Sequence, residues 1–113
     1  RNNASLYNKE LAGLPIISLP YEPKNCQHTY NQYTLKSTNR TQLIDKLKAN
    51  NIGAMVYYPL ALHLQKAFAY LGYKKGDLPN TELVQEQVFS LPIYPELSAK
   101  EIHEVCHCLK SAV

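Results

Sequence analysis

The chain has 113 residues, of which 45% are hydrophobic and 19% are charged, the composition of one ordinary globular domain with a modest core. Its net charge of +3 is slight and its lysines are spread along the sequence, so we expect no nucleic-acid partner. No apolar run approaches the roughly 20 residues that span a bilayer, and no segment resembles a signal peptide, so we expect no membrane partner either.

The N-terminal part predicts a helix followed by a connector. Three apolar side chains fall on one helix face within residues 1–12: Ala4, Tyr7 and Leu11. Gly13 with Pro15 is typical of a helix end. Because no capping residue precedes Arg1, we expect the chain to begin inside a helix of a longer protein. Residues 14–26 hold three prolines and little periodicity, which predicts an extended connector.

A strand and a second helix are predicted next. Residues 29–36 carry threonine, tyrosine and leucine with imperfect alternation, which favours a strand. Asn39 and Gln42 stand three residues apart, as in a capping box, and indicate a helix start. The apolar side of this helix is formed by Leu43, Ile44 and Leu47.

Residues 52–58 are apolar and rich in strand formers, which predicts a short, largely buried central strand. Pro59 lacks a backbone N–H and should end this strand. Since neighbouring strand residues point to opposite faces, we expect only one of Tyr57 and Tyr58 to face a ligand. Gly72 should stop the helix that follows. The apolar face of that helix is formed by Leu64, Ala67, Phe68 and Leu71.

The next segment predicts a turn, a helix and a strand. Residues 74–77 are a polar turn, and a helix of about ten residues should follow from Asn80. Val84 and Val88 are expected to face inward. Residues 91–94 should form a short strand between prolines.

Ser98 and Glu101 have the spacing of a capping box and predict the start of the last helix. Its apolar stripe is formed by Ile102, Val105, Cys106 and Leu109. The alternation of strands and helices predicts an α/β (α+β) fold, in which helices cover a small sheet of about three strands.

The sequence disfavours disulfide bonds between the cysteines and a metal site at two of the histidines. An odd number of cysteines without framework spacing predicts reduced thiols in a cytoplasmic protein; they are Cys26, Cys106 and Cys108. His103 and His107 lie one helical turn apart, as zinc ligands can, but no third ligand is obvious. We therefore predict a solvated helix face and no metal site.

His63 is the sharpest candidate for a binding residue. At a helix N-terminus it could hold a polar or anionic substrate group. The alternative, which residue spacing alone favours, is a histidine that caps its helix or satisfies a backbone carbonyl. Tyr57 and Tyr58 could donate hydroxyls to a sugar or phosphate, or pack on the strand. Gln65 is as readily a surface residue as a ligand contact.

Four stretches, taken in order, resemble one family. Residues 57–65 (Tyr-Tyr-Pro-Leu-Ala-Leu-His-Leu-Gln) resemble the Tyr-Tyr-Pro…Leu-His-Leu-Gln signature in the C-terminal part of the DegT/StrS family of pyridoxal-phosphate-dependent sugar aminotransferases. Residues 1–11 resemble the end of its interdomain helix, residues 28–33 its His-x-Tyr-x-x-Tyr strand, and residues 91–98 its Leu-Pro-x-x-Pro-x-Leu segment. Ala61 departs from the family, which commonly has a second proline there.

The resemblance implies the small C-terminal domain of a transaminase that moves an amino group from glutamate to a nucleotide-linked keto sugar, with pyridoxal phosphate as the electron sink. The product would serve polysaccharide or deoxyaminosugar biosynthesis. The implied layout is the end of an interdomain helix over residues 1–13, a connector over 14–26 and an α/β sandwich over 27–113. The implied partners are the protein's own large domain and a second subunit of a homodimer.

The resemblance also implies a substrate-binding role for particular residues. The family's matching histidine lies at the substrate cleft, which favours a substrate contact for His63. The strand that opens the domain borders the active site in the family, although a purely structural role is an equal alternative for its residues. The implied substrate-binding residues are His63, Tyr57, Tyr58, Gln65, His28, Tyr30 and Asn31.

No lysine of the chain stands in the setting that the family uses for its Schiff-base lysine, and the cofactor-phosphate loop belongs to the large domain. We therefore expect no catalytic residue, no cofactor-binding residue and no bound cofactor in this chain, and no activity from it alone. The alternative is a free-standing, non-catalytic ligand-binding or regulatory module of the same fold. The sequence upstream of Arg1 in the parent gene would distinguish the two.

Overall fold

A two-stranded antiparallel sheet stands at the centre of the computed structural model, which describes residues 1–112. Strand β1 is Tyr33–Lys36 and strand β2 is Val88–Leu91, and Tyr33 lies opposite Leu91. One isolated bridge extends each edge of the sheet, from Ser18 to Lys36 and from Met55 to Ser90. The predicted mixed α/β class is therefore confirmed, but the sheet has two strands rather than about three.

Helices pack on this sheet and connect its edges. The four α-helices are α1 (Asn2–Leu11), α2 (Arg40–Ala49), α3 (Pro79–Gln87) and α4 (Ala99–Lys110). Two 3₁₀-helices, Leu62–Leu64 and Lys66–Leu71, lie between α2 and α3. Among residues 1–112, every helix is too short or too polar to span a lipid bilayer.

The core lies between the sheet and the helices α1, α2 and α4. Tyr7 of α1 stacks on Tyr33 of β1 with ring centroids 4.8 Å apart, and neither side chain is exposed. The largest other fully buried side chains come from all three helices and both strands: Leu11, Leu35, Leu43, Leu47, Phe89, Ile102 and Leu109. Helices α1 and α4 and the sheet therefore share a single hydrophobic core.

The first and last helices form as their sequences predict. The buried face of α1 carries Ala4, Tyr7 and Leu11, and Gly13 follows with a φ of +81°, a left-handed conformation that glycine adopts readily. The capping box of α4 is present, because Ser98 accepts from the Glu101 N–H and Glu101 accepts from the Ser98 N–H. The predicted stripe of α4 is buried, and Cys108 is buried beside it.

Both strands are shifted from their predicted positions. Strand β1 starts at Tyr33 rather than residue 29, because Tyr30 has a φ of +55° and its N–H donates to Nδ1 of His28. Strand β2 covers residues 88–91 rather than 91–94, since Pro92 has no N–H to donate to a ladder.

The predicted central strand over residues 52–58 is wrong. Only Met55 pairs with β2, so the segment lacks a ladder, and its alternate residues Ile52, Ala54 and Val56 are only half-buried against the core. The helix predicted from Leu64 is a pair of 3₁₀-helices with one buried residue, His63. The stop at Gly72 is confirmed by its φ of +76°.

Two details of the other helices also differ from prediction. Asn39 precedes α2 without a side-chain cap, because the residue has a φ of −97° and a ψ of 24° rather than the extended conformation of a capping residue. Val84 in α3 is 43% exposed rather than inward, since α3 buries no residue in this structure. Val88 is half-buried and belongs to β2.

We predict that Leu47→Ala destabilises the chain strongly and Leu83→Ala does not. Leu47 is fully buried in α2, so truncation leaves a cavity and should cost about 2–5 kcal/mol. Leu83 lies in α3 with 55% of its surface exposed, so the same change should stay within about 0.5 kcal/mol. Urea unfolding of both variants measures the difference, and equal losses would contradict the position of the core.

Stability should also fall in acid, because two carboxylates that fix the helices have lowered pKa values. The Ser98 hydroxyl lowers the pKa of Glu101, and the Lys110 ammonium, 2.7 Å away, lowers that of Glu10. Their contribution is present above the unfolded carboxyl pKa of about 4.3 and is lost as pH falls through the lower folded pKa. Urea unfolding between pH 6 and pH 3 measures this loss.

Glu101→Gln separates the charge from the cap, since glutamine can also complete a capping box. The variant should remain folded and lose part of the acid dependence. Glu104→Gln on the same helix is the control, because that side chain is 62% exposed and lies 3.9 Å from Lys100. An acid dependence that is identical in wild type and Glu101→Gln would rule out a contribution from the cap carboxylate.

Candidate functional site

Three distant segments meet at the end of the sheet where β1 starts and β2 ends. Because Tyr33 pairs with Leu91, the residues before β1 lie beside those after β2. The bridge between Met55 and Ser90 holds residues 53–57 along the other side of β2. They enclose a cavity of about 430 Å³, which we name the Asn31 cavity. Its lining includes Asn31, Gln32, Met55, Tyr57, Ser90 and Tyr94.

The lining of the Asn31 cavity consists of amides, phenols, a hydroxyl and apolar groups. Tyr57 and Tyr94 are 39% and 47% exposed, so both rings are accessible. The Ser90 hydroxyl lies 2.9 Å from the Thr34 hydroxyl, and the hydrogen bond between them orients the Ser90 side chain. Among the described residues that line this cavity there is no lysine, histidine, cysteine or carboxylate. Such a surface can bind a polyhydroxylated ligand, but it offers no strong nucleophile or base.

A second cavity of about 580 Å³, the Asn3 cavity, adjoins the first, since Asn31, Ile93 and Tyr94 line both. The start of α1 forms its other wall. The Asn3 side-chain amide donates to the Tyr94 carbonyl at 2.8 Å, so α1 holds the segment after β2 in place. Tyr30 lines the Asn3 cavity and is 8% exposed.

His28 shapes the turn before β1 and lines neither cavity. Its ring stacks on Tyr30 with centroids 4.2 Å apart, and its Nδ1 accepts from the Tyr30 N–H at 2.8 Å. The Tyr30 hydroxyl donates to Glu22 at 3.0 Å. The Arg1 guanidinium and this hydroxyl lower the pKa of Glu22. These contacts fix the backbone from which Asn31 reaches its cavity.

Tyr57 and Tyr58 lie together rather than on opposite faces. Their rings are 6.0 Å apart and nearly perpendicular, at 75°. Both line a small cavity of about 140 Å³ against α3, and Tyr57 also lines the Asn31 cavity. The expected alternation assumed a strand, and the segment leaves β2 after Met55.

His63 lies away from the Asn31 cavity, in the segment from residue 57 to residue 78 that precedes α3 and that we name the arm. Its side chain is only 5% exposed, and its Nε2 lies 3.0 Å from the Glu82 carboxylate. The Tyr73 ring meets it edge-on at 6.2 Å and 83°. Nδ1 of His63 is buried without a hydrogen-bond partner within residues 1–112. His63 thus joins the arm to α3.

Two side chains of α3 hold the arm by hydrogen bonds. The Gly76 N–H donates to both Glu82 carboxylate oxygens, at 2.8 and 3.0 Å. The hydrogen bonds from His63 and from this N–H lower the pKa of Glu82. The Ala61 N–H donates to the side chain of Gln85 at 2.5 Å. Gln65, a predicted ligand contact, donates to the Leu60 carbonyl at 3.2 Å and so closes a turn within the arm.

The structure thus brings Asn31 and Tyr57 to one cavity and Tyr30 to its neighbour, and it places His28, His63, Tyr58 and Gln65 elsewhere. Sequence reasoning missed Tyr94, although an aromatic residue before a proline at a strand end could have indicated an exposed ring. It also missed Glu82 as the partner of His63. No sequence signal connects these two residues, which are 19 positions apart.

His103 and His107 of α4 line the same cavity, which lies between α4 and α2. Residues 103–107 have the His-Glu-x-x-His order of zinc metalloproteases, with Glu104 after the first histidine, an order that the sequence analysis overlooked. His103 Nδ1 lies 3.4 Å from Glu10, which also binds Lys110. Within residues 1–112, no three histidine, cysteine or acidic side chains group as metal ligands would.

The chain is similar to aminotransferase sequences over nearly its whole length. The pattern of the DegT/DnrJ/EryC1/StrS aminotransferase family matches residues 1–110. The pleiotropic regulatory protein of Geobacillus stearothermophilus is 41% identical over 103 residues, which cover 89% of this chain and 28% of that protein. The dTDP-3-amino-3,4,6-trideoxy-alpha-D-glucose transaminase of Streptomyces venezuelae is 33% identical over 107 residues, which cover 95% of this chain and 28% of that protein.

Solved structures of aminotransferases are also similar to this chain. The crystal structure of S. venezuelae DesV in complex with a ketimine intermediate has a TM-score of 0.93 at 32% identity, covering 98% of this chain and 30% of that one. A DegT DnrJ EryC1 StrS aminotransferase from Brucella abortus has a TM-score of 0.85 at 29% identity, covering 97% and 29%. The chain spans less than a third of the length of these relatives. Because the family pattern matches almost every residue, the chain belongs to the DegT/DnrJ/EryC1/StrS aminotransferase family.

Proposed function

We propose that this chain is the small C-terminal domain of a pyridoxal-phosphate-dependent aminotransferase, and that it closes over a nucleotide-linked keto sugar while the large domain holds the cofactor. Glutamate would supply the amino group. The observation that carries the proposal is the Asn31 cavity in a chain of this family, because its lining is suited to hydrogen-bonding and stacking on a sugar rather than to bond chemistry.

The Asn31 cavity offers distinct groups for such a ligand. Asn31 and Gln32 are exposed amides, each of which can both donate to and accept from sugar hydroxyls. Tyr57 and Tyr94 supply accessible rings and phenol hydroxyls. The family resemblance adds Tyr30, Tyr58, His63, Gln65 and His28 as proposed substrate contacts in the complete enzyme.

The residues that line the Asn31 and Asn3 cavities do not by themselves fit pyridoxal phosphate. The cofactor needs a lysine amine for its aldehyde carbon, and no lysine lines either cavity. We therefore assign the cofactor to the remainder of the parent protein, and the role of this chain to the substrate.

The exposed apolar side chains of the arm and of the residues on either side of it support docking against other protein. Most large exposed hydrophobic residues fall between residues 55 and 84, and they include Met55, Tyr58, Leu62, Tyr70, Leu71 and Leu83. Their proposed partners are the large domain and a second subunit in a cytoplasmic homodimer. Tyr57 lines a small cavity together with Tyr58 and Leu62 and also lines the Asn31 cavity, so such contacts would bound the Asn31 cavity.

In the intact parent protein, Asn31→Ala should weaken binding of the nucleotide sugar. Losing one neutral hydrogen bond costs about 0.5–1.5 kcal/mol, so KM for the sugar should rise about 2- to 10-fold. The half-reaction with glutamate should be unchanged, since no sugar takes part in it. Asn25→Ala, in an exposed turn, is the control.

Steady-state kinetics and a single-turnover assay with glutamate measure these effects. A variant that fails in the glutamate half-reaction would place Asn31 in the cofactor machinery. An unchanged KM for every nucleotide sugar that the parent accepts would remove the Asn31 cavity from the substrate site.

The chain alone should not form a pyridoxal phosphate adduct. A stoichiometric Schiff base needs a lysine positioned beside a phosphate cradle, and the lysines of this chain lie outside both cavities. Titration followed by absorbance, borohydride reduction and peptide mass spectrometry measures adduct formation. A stoichiometric adduct on one lysine would contradict the division of roles.

A second candidate is a regulatory module of the same fold. It is favoured by the name of the pleiotropic regulatory protein from G. stearothermophilus, which is 41% identical. A parent protein that binds a nucleotide sugar but has no Schiff-base lysine would establish this alternative. Transamination of a keto sugar by the purified parent would exclude it.

A further inference from the structure

Tyr30, which directly precedes Asn31, has a backbone conformation that its residue type disfavours. Its φ is +55°, in the left-handed region that glycine adopts far more readily than a residue with a Cβ. The local sequence predicts an extended conformation here, in a strand that begins at residue 29. Because β1 begins only at Tyr33, contacts from elsewhere in the fold must hold Tyr30 in the left-handed conformation.

These contacts form a closed cycle of four residues from three segments of the chain. The Tyr30 hydroxyl donates to Oε2 of Glu22 at 3.0 Å, and the Arg1 guanidinium donates to Oε1 at 3.0 Å. Arg1 also donates to the backbone carbonyl of His28, whose imidazole stacks on the Tyr30 ring with centroids 4.2 Å apart. The Tyr30 N–H donates to Nδ1 of His28 at 2.8 Å and closes the cycle.

Glu22 is the member of the cycle that holds the far end of the Tyr30 side chain. Its two carboxylate oxygens accept from one donor each, and these donors, Arg1 and then Tyr30, lower the pKa of Glu22, so it is ionised at neutral pH. A hydrogen bond to a carboxylate is stronger than one between neutral groups, and the bond from Tyr30 is partly buried. Glu22 therefore fixes the phenol while His28 fixes the backbone.

The conformation of Tyr30 determines where Asn31 lies. Asn31 lines both the Asn31 cavity and the Asn3 cavity. The segment is held on one side by Arg1 at the His28 carbonyl and on the other side by β1. A change of φ at Tyr30 therefore has to be compensated by the dihedral angles of its neighbours, of which Asn31 is the first. An extended Tyr30 would move the Asn31 amide relative to the cavity walls.

We propose that Glu22 is a positioning residue, which holds Tyr30 in the left-handed conformation and so places the Asn31 amide in the Asn31 cavity. The conformational role is a property of this chain alone. The consequence for binding rests on the proposed function, because Asn31 is a proposed contact of the nucleotide sugar.

NMR on the chain tests the conformational role. A positive φ brings the amide proton and the Hα of the same residue close together, so Tyr30 should show a strong nuclear Overhauser effect (NOE) between them. In Glu22→Ala this strong NOE should be lost, and the side-chain amide signals of Asn31 should shift. Tyr30→Phe removes the same hydrogen bond but keeps the ring, and it should have the same effect. Asp45→Ala, which removes an exposed carboxylate from α2, should change neither signal.

A weak NOE at Tyr30 in the wild-type chain would overturn the proposal without any variant. An unchanged NOE in a folded Glu22→Ala chain would overturn it as well. Tyr30→Phe decides the question if Glu22→Ala does not fold, since the phenylalanine ring can still pack on His28. An unchanged NOE in that variant would show that the hydrogen bond to Glu22 does not hold the conformation.

Kinetics of the intact parent protein test the consequence for binding. Glu22→Ala should raise KM for the nucleotide sugar by about 2- to 10-fold, as Asn31→Ala should, and should leave the half-reaction with glutamate unchanged. Because Glu22 acts through Asn31, the double variant should have the KM of Asn31→Ala alone.

Effects that multiply in the double variant would show that Glu22 does not act through Asn31. A normal KM in Glu22→Ala beside a raised KM in Asn31→Ala would also overturn the positioning role. An unchanged KM in Asn31→Ala would instead contradict the proposed function, and the NOE at Tyr30 would still decide the conformational role of Glu22.

Discussion

The stacking of Tyr7 on Tyr33 is the contact on which the rest of the structure depends. Both side chains are fully buried, and burial raises the pKa of each phenol, so both remain protonated donors. The Tyr7 hydroxyl donates to the Pro92 carbonyl at 2.9 Å, and the Tyr33 hydroxyl donates to Asn8 at 2.6 Å. One aromatic pair therefore fastens α1 to β1 and to the segment that leaves β2, which is where the Asn31 and Asn3 cavities form.

The parts of the fold that could be predicted from sequence are those whose signals are local. The spacing of Ala4, Tyr7 and Leu11, and the Ser98–Glu101 box, specify their helices without reference to distant residues. The strand over residues 52–58 failed because its alternating apolar side chains fit two outcomes, a paired strand or a segment that packs half-buried on the core with a single bridge to β2. Local pattern does not distinguish these, since both select similar residues.

The candidate site also has parts that could be predicted from the sequence and parts that could not. Asn31 and Tyr57 could be named from a family resemblance, but their meeting depends on two long-range pairings, Tyr33 with Leu91 and Met55 with Ser90. The family resemblance favoured a ligand contact for His63, although residue spacing alone favoured a histidine that caps its helix or satisfies a backbone carbonyl. The partner that fixes it, Glu82, lies on an element whose packing the sequence leaves open, because α3 has no buried residue to set its orientation.

The contacts that hold the arm in place differ from those that hold the core together. Between residues 57 and 78, the buried residues are Ala61 and His63, and hydrogen bonds with side chains of α3 reach both of them. Apolar burial is non-directional and tolerates sliding, whereas a carboxylate shared by an imidazole and a backbone N–H fixes distance and orientation. A segment that leaves its apolar side chains free for another surface needs directional contacts to keep its shape. The polar residues Glu82 and Gln85 supply them, and so the arm can present an ordered apolar face without burying it in its own domain.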